Sequence, residues 1–408
     1  MNTKKAVATI LSVIMIITLL AACANEPEQP QEIPAQIEEP EQGQGQTQEA
    51  VTEPTVGVPD ENAQTPPQAN TSFPSNIEGI PIDFVSVFNK FPPDTVMFTT
   101  GDIDANWELF YIRIHMSVRS LFESMGMVPD FSEPTPEGRS YADMLMDFAV
   151  RATHQLKVAE FVAGELGVQL DEEELELMEL YLQENILMSS GEDAMMEYLW
   201  ENYGIRSIEL FRELLTLEYF PMAIFRSQFG EMGEHLQDEE LDLYFEDEDF
   251  IMAKHILRQR SDDDPDAAWA EIEEIYRLLR GYQGDDFEAF FDELMHEHTQ
   301  DPGVWSFPSG YIFQTGDMVQ PFYEASVALE IGAMSEIVET NHGYHIILRL
   351  PVDYDAPFMD GSVTLRTMAA FNKYEELMSN WVVELPPVFT AEFESINWAQ
   401  LFEPCRIF

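Results

Sequence analysis

Two apolar stretches, each with one histidine, constrain this sequence more than any other feature. The first is Phe250–Leu257, and the second is Tyr344–Leu350, which follows Gly343. The second is rich in β-branched and aromatic residues, a composition that is typical of a buried central strand, and the first is an otherwise apolar run that also predicts a strand. Two such strands in one sheet would place His255 and His345 side by side on one face.

The chain is long and strongly acidic. Its 408 residues favour more than one domain, and its apolar content of 45% is enough for sizeable cores. The formal net charge is −56. Nucleic-acid phosphates and anionic lipids both attract cations, so this balance argues against a nucleic-acid partner and against electrostatic lipid binding. We interpret the carboxylates as a solvated surface that stays soluble through self-repulsion.

The first 22 residues have the pattern of an export signal. Two lysines precede an apolar stretch, Ala6–Leu19, that is too short for a stable membrane span. The run Leu20–Cys23 resembles the lipobox of bacterial lipoproteins, which implies cleavage before Cys23 and lipid on its thiol. An ordinary signal peptide or an uncleaved anchor is the alternative. Acylation of Cys23 would leave Cys405 without an intramolecular disulfide partner.

The next two regions differ in composition. Residues 23–78 are rich in Pro, Gln and Glu and have no Lys or Arg, so they bury too little surface to offset ordering entropy. We predict a disordered acidic tether there. Residues 79–248 show helical periodicity that ends repeatedly at glycines, and we predict a mainly α-helical domain. Its methionines and aromatics are explained as core, with a groove for apolar clients as the alternative.

Residues 249–351 have a mixed pattern in the order β-α-α-β-α-β-β, which predicts an α+β unit of about 100 residues. Four of its segments resemble the parvulin family of peptidyl-prolyl cis/trans isomerases. Each segment alone is weak, but their order and spacing are specific. In chain order they are Ala253–Leu257, Gly316–Phe322, Ile331–Ser335 and Thr340–Ile347.

The resemblance implies a four-stranded antiparallel sheet with flanking helices. The layout of lipobox, acidic tether, helical part and parvulin unit resembles the PrsA-type extracytoplasmic foldases, with a helical part similar to the N-terminal region of SurA-like chaperones. In those foldases, segments before and after the parvulin unit join in one chaperone domain. Residues 352–408 are therefore expected to pack back on residues 79–248, with Ser362–Trp381 as the returning helix.

The same resemblance assigns candidate site residues. His255, Asp301 and His345 are the catalytic candidates, with the two imidazoles orienting the hydrogen bonds of the site. The substrate-binding candidates would line a pocket for the proline ring or adjoin the histidines: Phe313, Met318, Val319, Phe322, Thr340 and His342. Tighter binding of the twisted amide than of either planar form is enough for catalysis. No metal and no cofactor is implied.

Each assignment has a structural alternative. A single strand histidine is usually a satisfied core residue, and Asp301, which precedes Pro and Gly, could be a turn former. Met318 and Phe322 could be plain core residues. His296 and His298 suggest a metal pair, but side chains two positions apart on a helix point to different faces.

The sequence departs from the parvulin pattern at two places. Phe307–Tyr311 replaces the Gly-Gly-Asp-Leu-Gly run before the second strand, which removes a leucine from the expected pocket. His342 stands where many relatives have Phe or Ser. In addition, Arg258 and Arg260 are followed at once by Asp262–Asp264, which argues against selectivity for phosphorylated Ser/Thr-Pro.

Two functions of different class follow. In the first, the protein is a lipid-anchored peptidyl-prolyl isomerase and foldase at the extracytoplasmic face of a bacterial membrane, with unfolded exported proteins that contain Xaa-Pro bonds as substrates. In the second, it is a non-catalytic holding chaperone with a degenerate parvulin module. A solute receptor is disfavoured because the sequence has no two-lobed α/β pattern. A homodimer is left open.

Overall fold

The computed structural model describes most of the chain after the predicted tether: residues 77, 80–136, 138–246, 248–260, 266–358 and 363–402. The predicted signal peptide and Cys23 lie outside these residues, as do Cys405 and all but Ile77 of the predicted tether. Within the described ranges, every helix is too short or too polar to cross a membrane.

A short hairpin and a group of helices form the described part of the chain before residue 249. The hairpin pairs β1 (Val96–Thr100) with β2 (Ile103–Asn106), after the short helix α1 (Phe84–Phe88). The helices that follow are α2 (Trp107–Met125), α3 (Tyr141–Leu166), α4 (Glu172–Met188), α5 (Glu192–Tyr203), α6 (Ile208–Phe229) and α7 (Asp238–Tyr244).

Local sequence explains where these helices begin and end. The hydroxyls of Ser140 and Ser207 cap α3 and α6, and Asp171 forms a capping box at the start of α4 with Glu174. Gly167 ends α3 at φ 65°, a left-handed conformation that glycine adopts without a Cβ clash. The mainly helical character predicted for this part is therefore confirmed.

Helix α3 lies at the centre of the helical part. Its first half, with Leu145 and Ala149, is buried in a core shared with α2 and the hairpin. Its second half, with Val158 and Val162, is buried in a separate core that contains Ile224 of α6. A helix that contributes to two cores needs apolar residues on more than one side, so α3 has no purely polar face along its length.

The second part of the chain contains a four-stranded antiparallel sheet of order β4-β3-β6-β5. The predicted α+β class and the order β-α-α-β-α-β-β are confirmed. The elements are β3 (Ile251–Arg258), α8 (Ala267–Gly281), α9 (Phe287–His298), a 3₁₀ turn (Pro302–Trp305), β4 (Tyr311–Phe313), α10 (Gln320–Ala328), β5 (Val338–Thr340) and β6 (Gly343–Leu350).

The two faces of this sheet bury different cores. One face carries Met252 and Ile256 and packs on α8 and α9. The other face carries Ala253 and Ile347 and packs on Phe322 of α10. Because side chains alternate along a strand, the strands are apolar on both faces, as expected for centrally placed strands.

The C-terminal segment contacts the helical part. Its elements are α11 (Leu365–Glu384), β7 (Val388–Phe389), α12 (Ala391–Glu394) and α13 (Trp398–Phe402). Strand β7 pairs with β1 and completes a sheet of order β2-β1-β7. Phe402 of α13 stacks on Phe131 with ring centroids 4.4 Å apart, and His154 Nε2 lies 2.6 Å from the carbonyl oxygen of Leu385. These contacts support the proposal that residues 79–248 and 352–408 form one domain.

Phe402→Ala is expected to lower the free energy of unfolding by about 3–5 kcal/mol, because it leaves a cavity against Phe131. Urea unfolding followed by circular dichroism measures the change. Val383→Ala is the matched control: Val383 is 79% exposed, so a change within about 0.5 kcal/mol is expected. A Phe402 variant as stable as the wild type would contradict the packing of this segment on the helical part.

Candidate active site

Strand pairing brings the two histidines together. In the antiparallel register of β3 and β6, His255 lies opposite Ile347 and Leu257 lies opposite His345. Opposite residues, and residues two positions along, point to the same face, so both imidazoles lie on the side of α10. Their Nδ1 atoms are 3.0 Å apart, and the rings stack with centroids 5.2 Å apart.

Asp301, after α9, extends this pair into a longer hydrogen-bonded chain. Its Oδ2 lies 2.9 Å from His255 Nε2 and accepts the Tyr311 hydroxyl at 2.5 Å, and its Oδ1 accepts the Gly303 N–H at 3.1 Å. Burial alone would raise the pKa of Asp301, but the hydrogen bonds from His255 and Tyr311 outweigh it and lower the pKa to about 2. The bond to Gly303 also caps the 3₁₀ turn, so Asp301 is a turn former as well as a member of the chain.

Thr340 lies at the other end of the chain. Its Oγ1 is 2.8 Å from His345 Nε2 and accepts the backbone N–H of His342 at 3.0 Å. Thr340 pairs with Gly343 across a two-residue turn that joins β5 to β6. Gly343 has φ 140°, and a side chain there would collide with the carbonyl of Arg258. Glycine therefore permits the tight turn that places Thr340 against the imidazole.

The ionised carboxylate gives this chain a direction. A carboxylate only accepts hydrogen bonds, so His255 Nε2 donates to Asp301, and Nδ1 of a neutral His255 is then an acceptor. His345 Nδ1 donates to it, which leaves His345 Nε2 to accept the hydroxyl of Thr340. Burial, and then the neighbouring His255, lower the pKa of His345 to about 3, so this imidazole is neutral at physiological pH.

An apolar wall stands beside the histidines. Phe322 is 3% exposed, and its ring is edge-on to both imidazoles, with centroids 5.2 Å from His255 and 5.4 Å from His345. The predicted pocket residues share one apolar cluster on this face: Phe313, Met318, Val319 and Phe322. His342, the remaining candidate, is exposed, and its backbone rather than its ring bonds to Thr340.

Tyr311 is the site residue that the sequence analysis missed. Its ring lies edge-on to His255 with centroids 5.6 Å apart, and its hydroxyl reaches Asp301. The signal that could have revealed it is the departure from the parvulin pattern at Phe307–Tyr311.

In the part of the chain that the structure describes, no three His, Cys, Asp or Glu side chains are grouped so that they could hold a metal.

Comparisons with known proteins bear on residues 249–351 most directly. Residues 255–350 match the family model described as Rotamase: PPIC-type PPIASE domain. Foldase protein PrsA of Halalkalibacterium halodurans is 31% identical over 215 residues, which cover 51% of this chain and 60% of that protein. Chaperone SurA of Vibrio vulnificus is 33% identical over 102 residues, which cover 24% of this chain and 22% of that protein.

A solved structure gives a weaker likeness. The peptidylprolyl isomerase PrsA of Bacillus anthracis is 18% identical over an alignment that covers 57% of this chain and 95% of the PrsA chain. The TM-score of 0.21 supports no conclusion by itself. The sequence matches confirm the predicted resemblance to PrsA- and SurA-like parvulin foldases. They span less than two thirds of the curated relatives' own length.

His345→Gln is expected to make folding less sensitive to acid. The pKa of His345 in the folded chain, about 3, lies below its ordinary value of 6.5. The stabilisation that depends on a neutral ring is therefore fully present above about pH 6.5 and is lost progressively toward pH 3. Between about pH 7.5 and 5, the wild type should lose about 2 kcal/mol more of its unfolding free energy than the variant. Urea unfolding at both pH values measures this difference.

His296→Gln is the control for that experiment, because His296 lies exposed on α9. Its unfolding free energy should depend on pH as the wild type's does. A His345 variant with the wild-type dependence would mean that this imidazole is protonated as readily in the folded as in the unfolded chain.

Proposed function

We propose that this chain, which carries a PPIC-type parvulin domain and is PrsA- and SurA-like, is a peptidyl-prolyl cis/trans isomerase and foldase. The observation that carries the proposal is the hydrogen-bonded chain from Asp301 through His255 and His345 to Thr340, beside the buried ring of Phe322. Binding of a prolyl amide requires a polar chain and an apolar pocket, and this site has both on one face of the sheet.

The reaction needs binding energy and no covalent step. Rotation about a peptide bond crosses a barrier of about 18–20 kcal/mol, because the twisted amide loses its resonance. A site that binds the twisted amide more tightly than either planar form lowers this barrier. Each reduction of about 1.36 kcal/mol raises the rate tenfold.

In this proposal the apolar cluster holds the proline ring. The pyrrolidine ring would contact Phe322 and Met318, with Val319 and Phe313 at the edges of the pocket. Removal of apolar surface from water stabilises the bound ring by about 25 cal/mol per Å². The exclusion of water also strengthens polar contacts to the neighbouring amide, because the local dielectric constant falls.

The histidine chain would supply the polar wall. Each imidazole is bonded at both ring nitrogens, so neither ring turns without losing two hydrogen bonds. If His255 takes up a proton, its Nδ1–H donates to His345, and the Nε2–H of His345 then points at the Thr340 oxygen, so the Thr340 hydroxyl loses its acceptor. The chain is therefore complete with a neutral His255, and it presents fixed polar groups to the twisting amide without a proton transfer to the substrate.

We also propose that the chain acts on unfolded exported proteins after translocation, held at the extracytoplasmic face of the membrane by lipid on Cys23. The lipobox-like run Leu20–Cys23 and the acidic, Pro-rich composition of residues 23–78 support this placement. An extended tether would keep the folded part away from the membrane surface.

Cys23→Ala should abolish lipid attachment, because the thiol that accepts the lipid is removed. Labelling of the expressed protein with a radioactive fatty acid, followed by separation of membrane and soluble fractions, measures it. The wild type is expected to carry label and to sediment with membranes, whereas Cys405→Ala should behave like the wild type. A labelled Cys23 variant would contradict the proposed anchor.

A holding chaperone with a degenerate parvulin module is the second candidate function. Exposed apolar side chains favour it: Leu187 and Met188, at the end of α4, are 81% and 85% exposed. Exposed apolar residues of this kind can bind unfolded segments, and methionine adapts to varied partners. In this candidate the histidine chain only stabilises the sheet.

Isomerisation of an unphosphorylated Xaa-Pro peptide and proline-limited refolding of a substrate protein separate the two functions. The wild type should accelerate both reactions. His255→Ala and Asp301→Asn should each lower kcat/KM by at least about tenfold, because each breaks the hydrogen-bonded chain that orients the imidazoles. His296→Ala, exposed on α9, is the control and should retain full activity.

Suppressed aggregation without any acceleration by the wild type would contradict the isomerase and support the holding chaperone. In that case the double variant Leu187→Ser, Met188→Ser should lose the suppression. The same double variant should leave peptide isomerisation unchanged if the isomerase proposal is right, because α4 contributes no residue to the site.

A further inference from the structure

We propose that Tyr311 is a positioning residue of the site, which holds the Asp301 carboxylate in the place and charge state that the histidine pair requires. The inference rests on the proposed isomerase function, and it adds a residue that the parvulin resemblance does not assign. The arrangement that carries it is a tyrosine hydroxyl and an imidazole N–H that converge on one carboxylate oxygen.

Strand pairing aims Tyr311 at the site. Tyr311 is the first residue of β4 and lies opposite Ala253 of β3. Its side chain therefore leaves the same face as those of Ala253 and His255. The ring is held between two neighbours, with centroids 5.0 Å from Phe307 and 5.6 Å from His255. A half-buried ring packed in this way presents its hydroxyl in one direction.

The hydroxyl meets a carboxylate oxygen that is already in use. Asp301 Oδ2 accepts Tyr311 at 2.5 Å and His255 Nε2 at 2.9 Å, while Oδ1 accepts the Gly303 N–H. Bonds to a charged acceptor are among the strongest in proteins, so three of them fix the orientation of the carboxylate. Burial, and then the bond to Asp301, raise the pKa of Tyr311, so its hydroxyl stays protonated and remains a donor.

Two glycines make room for this contact. A Cβ on Gly303 would collide with the Tyr311 hydroxyl, so a side chain there would push the tyrosine away from Asp301. Gly310, which precedes Tyr311, has φ 112°, and a Cβ there would come within 3.0 Å of the Ala253 carbonyl oxygen. The close approach of β4 to β3 thus depends on a conformation that favours glycine.

The hydroxyl limits how strongly the carboxylate attracts a proton. The bond from the hydroxyl withdraws part of the negative charge of Oδ2. Asp301 is therefore a weaker base, and Oδ2 is a weaker acceptor for the N–H of His255. The titratable groups that act on Asp301 are His255 from β3, Tyr311 from β4 and, behind His255, His345 from β6. Loss of the hydroxyl should therefore raise the pKa of Asp301 and strengthen its hydrogen bond with His255 Nε2.

Tyr311→Phe tests the inference, because it keeps the ring and removes only the hydroxyl. The acid limb of kcat/KM for an unphosphorylated Xaa-Pro peptide should move upward by about one pH unit, the effect of one lost hydrogen bond to a charged group. Below the limb kcat/KM should be about tenfold lower than in the wild type, and above it the two should converge. KM should change little, because the apolar pocket is intact.

A second readout needs no substrate. The proton chemical shift of the His255 Nε2–H reports the strength of its bond to Asp301, and it should move downfield in Tyr311→Phe, because the carboxylate oxygen loses its second donor and accepts more strongly from His255. Tyr282→Phe is the matched control: Tyr282 is in the same unit, and its ring stacks on Phe290 with centroids 4.5 Å apart. The control should leave both the rate profile and the His255 Nε2–H chemical shift unchanged.

The outcomes separate this inference from the proposed function. An active wild type with an unshifted limb and an unchanged His255 Nε2–H chemical shift in Tyr311→Phe overturns the positioning role. An inactive wild type with a shifted His255 Nε2–H resonance overturns the isomerase and supports the positioning of Asp301. If circular dichroism shows that Tyr311→Phe is unfolded, Gly303→Ala replaces it, since it keeps the tyrosine and displaces the hydroxyl. The same shift is then expected, and its absence overturns the inference.

Discussion

The pairing of β3 with β6 is the interaction on which the rest of the site depends. Its register puts His255 on the face of α10 and Lys254 on the opposite face, where Lys254 Nζ bonds Glu288 at 2.7 Å and Asp292 at 2.9 Å. A slip of one residue would exchange these faces, bringing an ammonium group into the apolar site and an imidazole against two carboxylates. Charge as well as apolar packing therefore fixes the register.

The donors that hold Asp301 include neither lysine nor arginine, which suits a chain with 20 cationic against 76 anionic side chains. Several of the cations join elements of the fold: Lys254 ties α9 to the sheet, and Arg366 of α11 pairs with Asp238 and Asp355. An arginine beside Asp301 would bind a carboxylate strongly, but it would also favour a second anion in the pocket. A hydroxyl, a backbone N–H and an imidazole keep the carboxylate ionised without an arginine in the pocket, which suits the neutral prolyl amide of the proposed function.

Much of this structure could be predicted from sequence where the signal is local or periodic. The bounds Tyr141–Leu166 of α3 follow from apolar spacing and the terminal glycine, and His255 and His345 stand out as the single histidines of two largely apolar strands. Strand β7 was not predicted, because two residues are too few to show a period. The role of Tyr311 was missed for another reason: its contact with Asp301 depends on how a loop and an edge strand approach in space.

The attachment of the parvulin-like unit leaves its histidine face available. The core on the α8 and α9 face continues into the helical part through Phe225 of α6 and through Ala369 and Ala370 of α11. Phe225 also stacks on Phe371 with ring centroids 4.5 Å apart. The cluster on the opposite face is built from the strands, α10 and the loop before it. Because the anchoring contacts lie behind the sheet, the prolyl segment of the proposed function would meet the histidine pair without competing with the packing that joins the two parts.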